Sequence, residues 1–503
     1  MEGMLCDELL QEIMRRLPAS ARPAASLVSK RWLTLLRSSI PSLSLCLPCG
    51  SALSSAGVAP ISSILSRYSS LSTLTLVLHA SSSSSSGCPN PSFSSDAVLL
   101  SLSDCASSHL PHLRHLRLLA GPVSTSVLSA LPLSSPLRRL ASLQLSSLRP
   151  LSFRWLLQFP FLRDLSIHDC SSFSAAAAAA APSSAGILGG IPNQQMTNGE
   201  EEEEEEAEGK EIALNYLSLA GIRAGDHGVG WLWRRCPNLQ RLHLRSCEGT
   251  GDGPSSRFFA LCLQNLREVE LRTCRAIADT VLLLIADHCR SLSTLVLYDG
   301  GSRDGLHHFI RRCGSALRTL DLRLPLDLDN GHLVAFGENF RSLACLRLQS
   351  CCLITGDGLR SLARAAAGAA IEELVLVNCD VVEREPGLLT FLGQSLRRLR
   401  KLDLSHNELL LDKELGAMLA SCGNLVEIKL RGCKGLTDAV MPSIFRFCAL
   451  LEALDVTRCQ GISAKGVEFL ILSSPRLRQI HVEEAKVSES AYIWASRRMI
   501  QVY

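Results

Sequence analysis

Cysteine sets the first chemical question. The stretch CGNLVEIKLRGCKGLTDAVMPSIFRFC runs from Cys422 to Cys448, and CALLEALDVTRCQGISAKGVEFL at once begins its pattern again. The chain holds 20 cysteines in 503 residues. Thiols can ligate zinc, pair as disulfides or act as nucleophiles, and each use has its own spacing. A zinc site needs a close pair such as Cys-x-x-Cys matched by a second pair. The nearest pair here is Cys351–Cys352, whose side chains leave a strand-like segment on opposite faces. Disulfides belong to oxidising compartments, and MEGMLCDELLQEIM lacks the basic and apolar regions of a secretory signal. No GxxxxGK[ST] loop, HExxH or GxSxG motif occurs. His307 and His308 adjoin on a helical stretch, so they diverge and make a poor ligand pair. The expectation is a chain with no catalytic residue, no metal and no cofactor.

The cysteines follow a different rule. An LxxLxL pattern, with Ile or Val allowed for Leu, starts at Leu239, Leu266, Leu292, Leu317, Leu343, Ile371, Leu399, Leu425, Leu451 and Leu477. The steps between them are 27, 26, 25, 26, 28, 28, 26, 26 and 26 residues. Less regular starts precede these at Leu71, Leu113, Leu140, Leu162 and Leu214. Cys170, Cys247, Cys274, Cys351, Cys379, Cys433 and Cys459 each lie three residues after the last apolar residue of a motif. In LRKLDLSHN that slot is Asn407, where a polar side chain can bond the turn backbone and stack into a ladder. Cys236, Cys289, Cys422 and Cys448 lie three residues before a motif, with Cys313 one residue further away. A periodic, motif-locked cysteine is a small buried hydrophobe.

The elements behind this period are readable. In LVEIKL, Ile428 and Leu430 alternate with polar residues, the period of a strand. DAVMPSIFRFC then places Val440, Ile444 and Phe445 on one helical face. One strand and one helix cannot bury that face alone, whereas stacked copies can. The pattern resembles the leucine-rich repeat in its cysteine-containing subclass of about 26 residues per unit, with CKGLTDAVM and CCLITGDGL as the matching motifs. The fold class this implies is an α/β leucine-rich repeat solenoid, a horseshoe with parallel strands on its concave face and helices outside. Regular repeats are expected over 213–490, irregular ones over 60–170, and a C-terminal cap over 491–503.

Residues 5–45 read otherwise. Leu9, Leu10, Ile13 and Leu17 fall at helical spacing before Pro18, and Pro23 suits the first turn of a second helix carrying Leu27 and Val28. Trp32, Leu35 and Leu36 lie on a third. Three helices in so few residues cannot bury Leu5, Leu9, Leu10, Ile13 and Leu17 together with Val28 and Trp32. LCDELLQEIMRRLP is similar to the F-box sequence LPDELLxEILxRLP, and SLVSKRW to its SLVCKRW. Cys6 stands where that family has Pro, and Ser29 where it has Cys. The resemblance implies a small all-α F-box over 1–45. Leu5, Leu9, Leu10, Ile13, Leu17, Pro18, Val28 and Trp32 would then contact the adaptor of an SCF-type, cullin-RING ubiquitin ligase. The repeats would hold an unknown substrate protein for ubiquitination, with the chain itself doing no chemistry. Two alternatives stay open: a receptor that also senses a small signalling molecule, and a plain scaffold in which residues 5–45 only cap the solenoid.

Composition suits a soluble, well-buried protein. Hydrophobic residues make up 47%, charged residues 20%, and the net charge is +3. So small a charge gives no case for nucleic acid, and no apolar run is long enough for a membrane span. The location expected from these features is cytoplasmic, nuclear or both; RRLRK at 397–401 is already accounted for as repeat surface. Two segments interrupt the array. The Ser-rich stretch 79–95 is expected as a loop, and 171–212 as a disordered insertion with an alanine run and an acidic run from Glu200 to Glu206.

The residues flanking the motif leucines should point outward from the sheet. Arginines recur there at Arg245, Arg272, Arg323 and Arg431, with Arg347 and Lys429 in the neighbouring column. Such a stripe suits bidentate capture of an acidic or phosphorylated substrate. The competing reading is ordinary solvated surface, with Glu270, Asp321, Asp403 and Asp455 partly neutralising it.

Overall fold

The computed structural model describes residues 6–18, 21–48, 59–79, 95–132, 135–170, 211–226, 228–251, 254–324, 328–365 and 371–503. Apart from their ends, the expected loop at 79–95 and the expected insertion at 171–212 lie outside the described residues, as does Leu5.

Helix α1 spans Asp7–Arg16, α2 Arg22–Ser26 and α3 Lys30–Ser39. Asp7 and Glu8 open α1 while Arg15 and Arg16 close it, the charge order that complements the helix dipole. Pro18 keeps Leu17 out of the helical region (ψ 132°), which ends the helix. At α3 the Ser29 hydroxyl accepts the Trp32 backbone N–H at 3.2 Å. The serine at this position is therefore a working N-cap. Leu10 and Met14 of α1 pack on Leu35 and Leu36 of α3, with Leu17, Trp32 and Ile40 against them. An Arg31–Asp7 ion pair of 2.6 Å joins the two helices at the surface. Helix α2 stops at Ser26, so Leu27 and Val28, expected within it, lie beyond its end and are exposed.

Tertiary contacts divide the chain into two units, residues 1–241 with 248–262, and residues 242–247 with 263–503. The first holds α1–α3 and strands β1 (Ser42–Pro48), β2 (Thr73–His79), β3 (His115–Ser124), β4 (Ser142–Arg149), β5 (Asp164–Ile167) and β6 (Tyr216–Ala220). All pair in parallel, and the motif leucines align: Leu43, Leu74, Leu116, Leu143, Leu165 and Leu217 are successive register partners. Strand β1 starts before residue 45, so the boundary expected there falls inside the first repeat strand rather than ahead of it. Ser42 pairs with Thr73 because SLSLCLP alternates like every later strand.

The second unit holds residues 242–245 of β7 (Arg241–Arg245), then β8 (Glu268–Arg272), β9 (Thr294–Tyr298), β10 (Thr319–Arg323), β11 (Cys345–Gln349), β12 (Glu373–Val377), β13 (Lys401–Asp403), β14 (Glu427–Lys429), β15 (Ala453–Asp455), β16 (Gln479–His481) and β17 (Gln501–Val502). From β8 to β16 the register partners are Val269, Leu295, Leu320, Leu346, Leu374, Leu402, Ile428, Leu454 and Ile480. All are buried. Each such side chain contributes about 1.5–3 kcal/mol of burial, which the stack collects only as a stack. The helix of the unit after β14 corrects one expectation. Val440 and Ile444 are buried, but Phe445 turns outward, where its ring meets Phe469 edge-on at 5.9 Å.

A left-handed residue follows each strand from β7 to β15. Ser246, Thr273, Asp299, Leu324, Ser350, Asn378, His406 and Arg458 have φ between 48° and 62°, and Gly432 takes the same slot at 73°. This turn swings the chain from the sheet toward the next helix. Asn visits this region far more readily than a long side chain does. Arg458, which is exposed, can therefore be improved. Arg458→Asn is expected to raise stability by about 0.5–1 kcal/mol, read as a higher midpoint in urea.

Candidate functional site

The motif cysteines are spent on the framework. The Cys433 thiol donates to the Leu404 carbonyl at 3.1 Å, and Cys459 to Leu430 at 2.9 Å. Cys274 and Cys379 make the same bond to Leu244 (3.4 Å) and Leu348 (3.6 Å). Asn407 occupies the equivalent place and does more. Its Nδ2 donates to Leu376 O (2.8 Å) and Leu404 O (2.7 Å), and its Oδ1 accepts the Cys379 N–H at 3.0 Å. These thiols are buried, and burial pushes Cys170, Cys236, Cys433 and Cys448 up to about 12, with Cys422 and Cys459 at about 11. Cys351 is buried and Cys352 exposed, opposite faces as the adjacency implied. The thiols with raised values are poor nucleophiles.

The raised values carry a stability consequence. An unfolded thiol ionises near 9, so folded chains keep protons that unfolded chains lose above that pH. The contribution is complete below pH 9 and drains away as pH climbs toward 12. Thermal midpoints should therefore hold from pH 7 to 8.5 and fall between pH 9 and 11. Cys433→Ala and Cys459→Ala should flatten that fall.

Two surfaces remain as candidates. The first is on the helical unit. Helix α1 is apolar on two sides. Leu10 is buried and Leu17 and Trp32 are half-buried in the small core, whereas Leu9 (54% exposed) and Ile13 (46%) sit one turn apart on the outer side. Val28 (56%) and Pro18 are exposed as well, and so is Leu27 (86%). Of the residues that the F-box resemblance nominated, Leu9, Ile13, Pro18 and Val28 are thus available to a partner, and Leu10 is not. Leu27 was not nominated. Its signal was the five-residue length of α2, too short to turn both Leu27 and Val28 inward.

The second is the outward strand face of the second unit. Here the nominated cations are not a free stripe. Arg245 and Arg272 both pair with Glu270, at 3.5 Å for Arg245. Arg323 grips Asp321 through two bonds of 2.9 and 2.7 Å. Arg347 pairs with Glu373 at 2.7 Å, and Lys429 with Glu427 at 2.7 Å. Lys401 reaches the same Glu427 at 3.3 Å. Only Arg431, exposed beside Lys429, has no ion pair among the described residues. The carboxylates Glu268, Glu373 and Glu427 occupy a third outward column, just before the first buried residue of each strand. The sequence reading followed only the two columns after that residue, and so missed them. Between β10 and β14 this face dips into a depression of about 220 Å³, floored by Val375 and Val377.

Comparison with known proteins fits this layout. The F-box domain family matches residues 4–42, and the Leucine Rich repeat family matches 341–363 and 447–470. F-box/LRR-repeat protein 4 of Bos taurus is 27% identical over 190 residues, covering 38% of this chain and 26% of that protein. Coronatine-insensitive protein homolog 1a of Oryza sativa is 27% identical over 240 residues, 44% of this chain and 40% of that protein. F-box protein SKIP1 of Arabidopsis thaliana is 32% identical over 80 residues, 16% of this chain and 26% of that protein. The chain spans less than half the length of these curated relatives.

Proposed function

We propose that this chain, an F-box domain followed by leucine-rich repeats and homologous to F-box/LRR proteins, is a substrate receptor of an SCF-type ubiquitin ligase. The observation that carries the reading is the doubled apolar character of α1. Leu10 and Met14 already fill the small core, so Leu9, Ile13, Leu27 and Val28 serve no purpose within it. Exposed apolar clusters of this kind mark interfaces. The F-box would hold the adaptor, and through it the cullin, while the repeats hold a substrate protein near the charged conjugating enzyme. The gain is in effective concentration. The chain then needs no catalytic group of its own, and the raised thiols offer none. The plain-cap reading leaves the four exposed side chains unexplained. The test is capture of purified SCF adaptor by the full chain, followed by co-elution with cullin. Failure to capture the adaptor at micromolar concentrations removes the ligase role.

A further inference from the structure

We propose that the depression between β10 and β14 is an anchor pocket for one apolar side chain of an extended partner segment, with acidic residues on both sides of that side chain. The proposal rests on the reading of the repeats as the substrate-holding part. It begins from the floor. Every other strand from β10 to β14 places a charged residue at the central outward position, namely Asp321, Arg347, Asp403 and Lys429. Strand β12 places Val375 there, and Val377 two residues on. An apolar notch is thus cut into a charged face. Its volume of about 220 Å³ is enough for one large apolar side chain.

The rim decides the sign of the partner. It holds four cations and four carboxylates; Asp403 is half-buried, and the other three carboxylates are less exposed than the cations. Asp321, Glu373 and Glu427 are 4%, 18% and 24% exposed, whereas Arg323, Arg347, Lys401 and Lys429 are 36%, 40%, 55% and 47% exposed. The carboxylates lie beneath and the cations above them. Each of these three carboxylates holds a cation in one place, as Asp321 does Arg323 through two bonds. A guanidinium has five N–H donors, so Arg323 and Arg347, each partly exposed, keep donors that these carboxylates do not use. Cations fixed in advance lose less side-chain entropy when a carboxylate arrives. A partner with basic flanks would meet this raised cationic layer first and be repelled.

The test uses three fluorescein-labelled peptides against the full chain at low salt. The first has two aspartates on each side of a central leucine. The second replaces the aspartates by lysine, and the third replaces the leucine by glycine. The first is expected to bind at least ~10-fold more tightly than either other, and to weaken on raising NaCl from 50 to 500 mM. Val375→Asp and Lys401→Glu should each abolish that preference. Val375 is half-exposed and Lys401 exposed, so neither change enters the core, and thermal melts of the same samples check this. Equal affinity for the three peptides, saturable binding by none, or an undiminished preference in Val375→Asp overturns the proposal. Adaptor capture, measured on the same variants, should be unchanged. Retained peptide preference without adaptor capture would instead sink the ligase reading and leave the anchor pocket standing.

Discussion

Replacing Leu9 and Ile13 together by Asp is expected to lower adaptor capture by about a hundredfold or more while leaving the protein folded. Both side chains lie on the outer side of α1, half-exposed, one turn apart. Neither belongs to the cluster formed by Leu10, Met14, Leu35 and Leu36. In the free chain the new carboxylates would face water at little cost. Against a partner they would be driven into a dry contact. A few central anchors carry most of an interface's energy, and burying an unpaired charge there costs about 3 kcal/mol or more. The control lies one residue along the same helix. Leu10→Asp or Met14→Asp would put the charge inside the small core and melt the three helices. That loss appears in the circular-dichroism signal, whereas the outer pair should leave it intact. The double variant should still hold substrate through its repeats and so accumulate it. Full adaptor capture by a folded Leu9→Asp/Ile13→Asp chain would reduce α1–α3 to an end cap.

This contrast also shows what the sequence could and could not supply. Apolar period placed α1 and α3, Pro18 placed the end of α1, and Pro23 the start of α2. Period alone could not say which leucines of α1 face inward, because its apolar residues occupy two sides of the helix. The choice is made by Leu35 and Leu36 of α3, which lie more than twenty residues along the chain and meet Leu10 and Met14 but not Leu9 and Ile13. The repeats were more legible, because each strand depends mainly on neighbours with its own pattern. The motif leucines therefore stack in unbroken register from β8 to β16. The start of the sheet was less so. The first four residues of SLSLCLP were read as the tail of the F-box, although IPSLSL at 40–45 fits LxxLxL with Ile at its first place. Its pairing with β2 needs only the alternation. On the outward face, the spacing gave the columns of cations but not their partners. Glu373 faces Lys401 across a strand gap in register, yet its carboxylate is claimed by Arg347 on the other side. Side-chain reach between neighbouring strands decides this, and no one-dimensional pattern contains it.

Asn407 should be the most costly single position to change in the repeat ladder. Its side chain is 1% exposed and satisfies three backbone groups: the carbonyls of Leu376 and Leu404 and the N–H of Cys379. Asn407→Leu keeps the number and branching of the side-chain heavy atoms but removes every bond. The Leu404 carbonyl keeps the Cys433 thiol, but the Leu376 carbonyl and the Cys379 N–H lose this partner at about 1–3 kcal/mol each, so the total should reach several kcal/mol. Cysteine fills the same slot at Cys379 and Cys433 and still donates to the carbonyl of the strand before. Asn407→Cys should therefore recover part of the loss, while Asn407→Ala should not. In the opposite direction, Cys433→Ala removes one weak bond and a small apolar volume, for about 1–3 kcal/mol. Urea midpoints should then rank wild type above Asn407→Cys, and both above Asn407→Ala and Asn407→Leu. If Asn407→Leu unfolds no more readily than Cys433→Ala, the ladder is held by burial alone and its hydrogen bonds add nothing.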